Sequence, residues 1–360
     1  MGEIIEKTLI LLPKLTAGGT ERSAVELANF IARDGKEVTI LLMFKCNVFY
    51  KLHPNVKLIE PPDFRKKYGK ILYLPILLFF LRRNIKKENP QVIFALGYIL
   101  LTIISSLGIS SKLIISWRSS PTRVRFPGNQ ILNEIYKFLY FIFRFRIDGI
   151  VAQTQYAKTI FQQKFRCPIQ VVPNFLKEIT SYNFERKNQI ITVGRCVYEK
   201  GQHYLIEAFS KIKYKTWTLI IVGDGPKRKE LEEQAKCLGI ADRVIFTGFQ
   251  KDVDYYMAQS KIFAFTSIVE GFPNGLIEAM ANGLAPVSFN CIAGPSEIIT
   301  DGYNGYLVDV GDIEQFVNCL NCLIEDKNIL GKISLQALDS AKMYHVDLIG
   351  KKYIQFFEEC

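Results

Sequence analysis

Two glutamates, an arginine and a lysine in the second half of the chain carry most of the chemistry that its residue types offer. Arg195 and Lys200 stand five residues apart in GRCVYEKG, a loop bounded by Gly194 and Gly201. A planar guanidinium and a point-charge ammonium on one Gly-hinged loop can neutralise a diphosphate from two sides, although two solvated surface cations would look the same. Glu270 and Glu278 stand eight apart in VEGFPNGLIEAMANG. Gly271 to Pro273 force a turn, and Pro273 disfavours helix in the residue before it, so the first carboxylate belongs to a loop and the second to the following helix. Asn274 is placed to cap that helix, and the amides of residues 274–276 would then face the crevice that both carboxylates line and attract a phosphate.

Two more glycine loops follow strand-like segments. In PKLTAGGTER, Gly18 and Gly19 permit close backbone approach and Thr20 can cap a helix, which suits a phosphate. The string is not G-x-G-x-x-G, and a paired glycine before a helix is also a common tight turn. In VGDGP, Gly223 and Asp224 belong to a turn before another helix. The one D-x-D string, Asp252 to Asp254, sits at a helix start where Asp is an ordinary cap. No catalytic metal and no cofactor is expected from this residue set.

The elements that must position these loops alternate strand and helix. Strands are expected at 8–12, 37–43, 57–60, 91–96, 113–117, 149–152 and 170–172, and again at 189–193, 217–222, 243–247, 262–266, 285–289 and 305–308. Ala24, Leu27, Ala28 and Ile31 fall at i, i+3, i+4 and i+7, one face of a helix over 20–34. The pattern is α/β, two Rossmann-like doubly wound domains facing a cleft. Boundaries are expected at 1–175, a polar linker 176–188, a second domain 189–344, and a terminal helix 345–360 packing back toward the first domain.

The chain has 360 residues and a net charge of +11. Ordinary apolar and charged fractions exclude a disordered, collagen-like or coiled-coil chain. Residues 1–180 hold 27 basic and 12 acidic side chains and residues 181–360 hold 19 and 23, so the surplus lies wholly in the front half. Nucleic acid, anionic lipid headgroups and phosphorylated small molecules all answer such a charge. The N-terminus lacks the basic start and cleavage site of a secretory signal, and the eight cysteines are scattered, which reads as a cytosolic protein with reduced thiols. Cys319 and Cys322 form a C-x-x-C inside an amphipathic stretch and read as helix cysteines.

Residues 89–111 carry no charge, long enough to span a bilayer, but Gly97, Gly108 and two Ser-Ser pairs break the run into strand, helix and strand. Segments 65–87 and 118–146 mix basic and aromatic residues, a composition that suits peripheral contact with an anionic membrane as well as packing on a sheet.

Taken together, AGGTER, VVPN, VGRCVYEKG, IVGDGP, FTGF and SIVEGFPNGLIEAMANGLAPVSF with the trailing GPSEIITDGYNGYLV resemble the retaining glycosyltransferases of family 4, of GT-B fold. The second half carries the closer match. The resemblance implies transfer of a sugar from a nucleotide-diphosphate donor, a UDP-sugar, without metal, onto a lipid-linked or polysaccharide acceptor in surface-glycan synthesis. It implies that Arg195 and Lys200 hold the diphosphate, that Glu278 accepts hydrogen bonds from the ribose, and that Glu270 stands by the donor sugar. Gly18, Gly19, Gly194, Gly223, Asp224, Gly271, Phe272, Asn274, Gly275 and Leu276 would complete the donor side. Many members carry a front-domain histidine after the strand that here ends in Trp117; this chain reads ISWRSSP, so Arg118 and Ser119 become the acceptor-side candidates. A soluble GT-B epimerase or sucrose-type synthase, acting without lipid, is the alternative. A polyanion-binding module would not need the clustered glutamates, so no nucleic acid is expected as a partner. The expected location is the cytoplasm, at the inner face of the cytoplasmic membrane.

Overall fold

The computed structural model describes residues 4–118 and 128–360. Among the site candidates, only Ser119 lies outside them. The chain divides into two compact units, Met1–Phe175 with Val346–Cys360, and Leu176–His345.

In the first unit the order is β1 (Lys7–Leu12), α1 (Gly19–Arg33), β2 (Glu37–Leu42), β3 (Val56–Ile59), α2 (Phe64–Glu88) and β4 (Val92–Leu96). It continues through α3 (Ile99–Ser106), β5 (Lys112–Ser116), α4 (Gln130–Phe143), β6 (Gly149–Ala152), α5 (Gln155–Gln162) and β7 (Ile169–Val171). The strands form one seven-stranded parallel sheet in the order β3-β2-β1-β4-β5-β6-β7. The order reverses between β1 and β4. The uncharged run 89–111 is β4, α3 and the approach to β5, and no helix among the described residues is long and apolar enough to cross a membrane.

The second unit begins with β8 (Gln189–Val193), α6 (Gln202–Lys211), β9 (Thr218–Val222), α7 (Arg228–Cys237), β10 (Val244–Gly248) and α8 (Asp254–Gln259). Then follow β11 (Ile262–Phe265), α9 (Asn274–Ala281), β12 (Ala285–Phe289), α10 (Pro295–Ile298), β13 (Tyr306–Val308), α11 (Ile313–Glu325) and α12 (Lys327–Ala341). Its sheet is six-stranded and parallel, ordered β10-β9-β8-β11-β12-β13, with the reversal between β8 and β11. The last helix, α13 (Val346–Glu359), belongs to the first unit.

Strands buried on both faces explain the near-continuous apolar runs. Along β1, Ile10 and Leu12 join one core with Ala24, Leu27 and Ile31 of α1 and with Tyr353 and Phe357 of α13. Leu9 and Leu11 point the other way, into a core with Leu77 and Leu81 of α2 and Ile103 of α3. In the second unit α11 buries Phe316, Leu320 and Leu323. Cys319 is buried on the same helix and Cys322 half-buried, its thiol 3.7 Å from the Tyr306 hydroxyl.

Two caps differ from expectation. Thr20 does not cap α1: the helix already includes Gly19, because the extended Gly18 offers its carbonyl directly to the Arg22 amide at 3.0 Å. Asn274 does not cap α9 but is its first residue, after Pro273, whose constrained φ of −84° sets the helix entry.

Candidate active site

In open α/β sheets, ligands lie beyond the carboxyl ends of the strands where strand order reverses. In the second unit that point lies between β8 and β11, and the loops after these two strands carry Lys200 and Glu270. Their side chains meet: Lys200 Nζ donates to Glu270 Oε1 at 2.5 Å, with the side chains 29% and 12% exposed. The ammonium also stands 5.9 Å from the centre of the Phe265 ring. Seventy residues of sequence separate this pair, which is why spacing alone, which grouped Arg195 with Lys200 and Glu270 with Glu278, missed it.

The loop that presents Lys200 is locked by backbone contacts. Gly201 has φ +61°, and a Cβ there would stand 2.0 Å from the Thr266 carbonyl oxygen. The Thr266 hydroxyl donates to the Lys200 carbonyl at 3.3 Å and the Ile268 amide to the Glu199 carbonyl at 2.8 Å, so the β8 and β11 loops are stitched together. Arg195 stands exposed on the same loop, its carbonyl held by Gln202 Nε2 at 3.1 Å.

On the other side, Gly194 donates to the Val222 carbonyl and Cys196 to the Asp224 carbonyl, both at 2.9 Å. Gly223 lies so close to the Gly194 carbonyl oxygen that a Cβ would come within 2.0 Å. These glycines therefore serve close backbone packing between neighbouring loops. Asp224 accepts from the Gly225 amide at 2.7 Å and faces Arg228 at 3.4 Å.

After β11 the chain turns through Gly271, the buried Phe272 and Pro273 into α9, where Leu276 and Glu278 are buried and Asn274 and Gly275 partly so. The expectation that the amides of residues 274–276 all stand open is corrected. The Asn274 amide donates to the Phe272 carbonyl and that of Leu276 to the Pro273 carbonyl, both at 3.0 Å, because the tight Pro turn folds them inward. Gly275, between them, has no such bond. Cys291 lies against the same pair of charges: burial first, and then the Glu270 carboxylate, push its thiol up to about 12, with Lys200 opposing.

The D-x-D string is in structural use. Asp254 is buried, with Lys177 Nζ at 2.8 Å and the Thr180 amide at 3.1 Å, while Asp252 accepts from the Tyr182 hydroxyl. Among the described residues no three His, Cys, Asp or Glu side chains are grouped to hold a metal ion.

The first unit has its own reversal, between β1 and β4, and a pocket of about 310 Å³ opens beside it. Glu21, Tyr98, Ser116, Trp117, Arg118 and Tyr136 line it. Of these, the family resemblance singled out Arg118 alone; Tyr98, Ser116 and Trp117 stand at strand ends, whereas Glu21 on α1 and Tyr136 on α4 are brought in by the fold. Arg118 donates through one terminal nitrogen to Asn174 Oδ1 and through the other to the Tyr353 hydroxyl at 2.9 Å. Gly18 has its amide on the Tyr50 hydroxyl at 3.0 Å, and that hydroxyl returns a bond to the Gly18 carbonyl at 2.8 Å. Gly19 is the first residue of α1.

Comparison with known proteins fits this geometry. The chain is similar to the Anabaena protein HepE, solved with UDP and glucose, at TM-score 0.80, with 24% identity over 99% of this chain and 100% of that one. Two parallel-sheet Rossmann-like units and this structural likeness make it an α/β protein of the GT-B fold. The model for Glycosyltransferase Family 4 matches residues 17–177, and that for Glycosyl transferases group 1 matches residues 176–338. An uncharacterized glycosyltransferase of Haemophilus influenzae is 28% identical over 94% of this chain and 95% of its own. The GalNAc-alpha-(1->4)-GalNAc-alpha-(1->3)-diNAcBac-PP-undecaprenol alpha-1,4-N-acetyl-D-galactosaminyltransferase of Campylobacter jejuni is 26% identical over 98% of both chains. The chain belongs to glycosyltransferase family 4.

Proposed function

We propose that this glycosyltransferase takes its sugar from a UDP-sugar, retains the anomeric configuration without a metal ion, and builds a lipid-linked or polysaccharide surface glycan. The Lys200–Glu270 pair at the reversal of the second sheet carries this reading. Lys200 and Arg195 neutralise the diphosphate on which charge develops as the sugar leaves. Fixed cations aimed at that charge lower the barrier without reorganising at the moment of reaction. Glu270 holds the Lys200 ammonium in place and meets the donor sugar's hydroxyls, and Glu278, on α9, takes the ribose. UDP bound to HepE and the undecaprenol-linked acceptor in the name of the Campylobacter enzyme support the donor and acceptor classes.

Contact with an anionic membrane completes the reading. On α4, Ile131, Ile135, Phe138, Ile142 and, just beyond it, Phe145 form an outward stripe, with Phe138 64% and Phe145 73% exposed. Arg144 lies 4.3 Å over the Phe141 ring. An apolar stripe flanked by cations matches the headgroup boundary of an anionic bilayer at the cytoplasmic face.

The direct test is release of UDP from a panel of UDP-sugars on addition of membrane lipid extract. Lipid-dependent release is expected; release that lipid leaves unchanged favours the soluble alternative, and no release from any nucleotide sugar overturns the reading.

A further inference from the structure

The loop that carries Arg195 and Lys200 is fastened on its two sides to two different neighbours. Its first half follows β9: the Gly194 and Cys196 amides donate to the Val222 and Asp224 carbonyls, and the Lys227 amide donates to the Cys196 carbonyl at 3.0 Å. Its second half follows β11, through the Thr266 hydroxyl on the Lys200 carbonyl and the Ile268 amide on the Glu199 carbonyl. The two cations therefore take their positions from different strands.

Their side chains are also held differently. Lys200 has Glu270 as a partner, whereas Arg195 is exposed and, among the described residues, no side chain is bonded to its guanidinium. The aim of Arg195 thus depends on its backbone. Gln202, the first residue of α6, holds that backbone: its Nε2 donates to the Arg195 carbonyl at 3.1 Å and ties the β9 half of the loop to the β11 half. The other end of this strut is firm, because Gly201 just before it is packed against the Thr266 carbonyl.

Folding alone does not call for a glutamine here. Gln202 is 2% exposed and its Oε1 has no hydrogen-bond partner. A buried amide with one half unsatisfied is less favourable in the folded protein than an apolar side chain of the same length. Nor does the Arg195 carbonyl need the bond, since the Val197 amide already reaches it at 2.8 Å. What the glutamine adds is a fixed separation between two cations, and a preorganised electrostatic site needs its groups held to within about 0.5 Å.

We propose that Gln202 is a positioning residue of the transfer reaction, setting the spacing of Arg195 from Lys200 so that both cations meet one diphosphate. The proposal rests on the nucleotide-sugar reading above, and the two are made to fail separately. UDP, GDP and ADP, each beside its monophosphate, are titrated by calorimetry into wild type, Gln202→Met and Gln202→Asn. Methionine fills the same length without a donor; asparagine keeps the amide but falls one methylene short of the carbonyl.

For the nucleotide that wild type binds, the preference for diphosphate over monophosphate is expected to fall about tenfold in both variants, the scale of a small misplacement. Gln202→Met should at the same time raise Tm by about 2 °C, since it removes an unsatisfied carbonyl. In an Arg195→Ala background Gln202→Met should change the preference by less than about twofold, because the effect runs through the Arg195 guanidinium. A preference kept by either variant overturns the proposal and leaves the function standing: methionine would keep it if only volume mattered, asparagine if only polarity did. An undiminished effect in the Arg195→Ala background overturns it too, as does a Gln202→Met variant that loses stability, since the glutamine would then serve folding. If no nucleoside diphosphate binds wild type, both readings fall.

Discussion

The Lys200–Glu270 contact makes the two residues interdependent. Glu270→Gln and Arg195→Ala are each expected to lower turnover by about 100-fold, the scale for losing one preorganised electrostatic contact. Lys200→Ala should in addition lower stability by about 1–2 kcal/mol, because Glu270 loses its partner in a largely buried place; solvent screening at the 29% exposed lysine keeps the loss below that of a fully buried pair. Urea unfolding with parallel turnover measurements separates the two effects. Gly201→Ala is a sharper probe, since φ +61° and the Thr266 carbonyl both reject a Cβ. A loss of about 2–3 kcal/mol together with activity is expected, against a few tenths for an exposed helical position. At this scale the sequence was half legible. Gly-hinged cations and a Pro-turn carboxylate announce themselves by spacing, but a contact bridging seventy residues is created by strand order, which no local pattern encodes.

Elements were easier to read than contacts. Strands buried on both faces leave unbroken apolar runs, so β4 could be told from a membrane span only by Gly97, Gly108 and the Ser-Ser pairs that follow it. Helix starts were misplaced by a residue at α1 and α9 because backbone carbonyls, rather than the Thr20 or Asn274 side chain, settle where each begins. For α4 the sequence favoured membrane contact over sheet packing because cations flank its apolar run. In the structure none of its residues is buried, and the apolar stripe faces outward while Tyr140 and Phe143 pack inward. Phe138→Asp combined with Phe145→Asp should therefore leave Tm within about 1 °C of wild type, as for exposed positions. The same variant should abolish flotation with anionic vesicles, and wild-type flotation should weaken between 50 and 500 mM salt on the order expected from screening. Flotation retained by the variant would remove α4 from the membrane proposal.

Across the whole molecule, each unit has its own buried cores, and α13 supplies Ile349, Tyr353 and Phe357 to that of the first. Deleting residues 346–360 should therefore strip amide protection from β1, β4 and α1 while leaving β8, β9 and β11 protected, a difference that hydrogen exchange reads segment by segment. Alkaline pH should strike both units, since burial raises the Cys167 and Cys360 thiols of the first as well as groups of the second. Burial raises Cys319 from 9.0 to about 11 and Tyr344 from 10.0 to about 12. The unfolded chain releases these protons first, so their contribution is intact below pH 9 and is lost as pH rises through about 11 to 12. Tm measured from pH 8 to 11 should fall less steeply in Cys319→Ala than in wild type.

The return of α13 also sets an order of events during synthesis. The 170 residues 176–345 must be made between the first unit's main segment and its last helix. At about 5–20 residues per second this takes roughly 10–30 s. Throughout that interval Phe175, which stacks on Tyr353 in the finished protein, and Phe94, which meets it edge to face, lack their cover. The nascent chain thus presents an oily, strongly basic half-domain at the ribosome while a complete one folds behind it, and its demand for chaperones should vanish in a circular permutant that begins with residues 346–360.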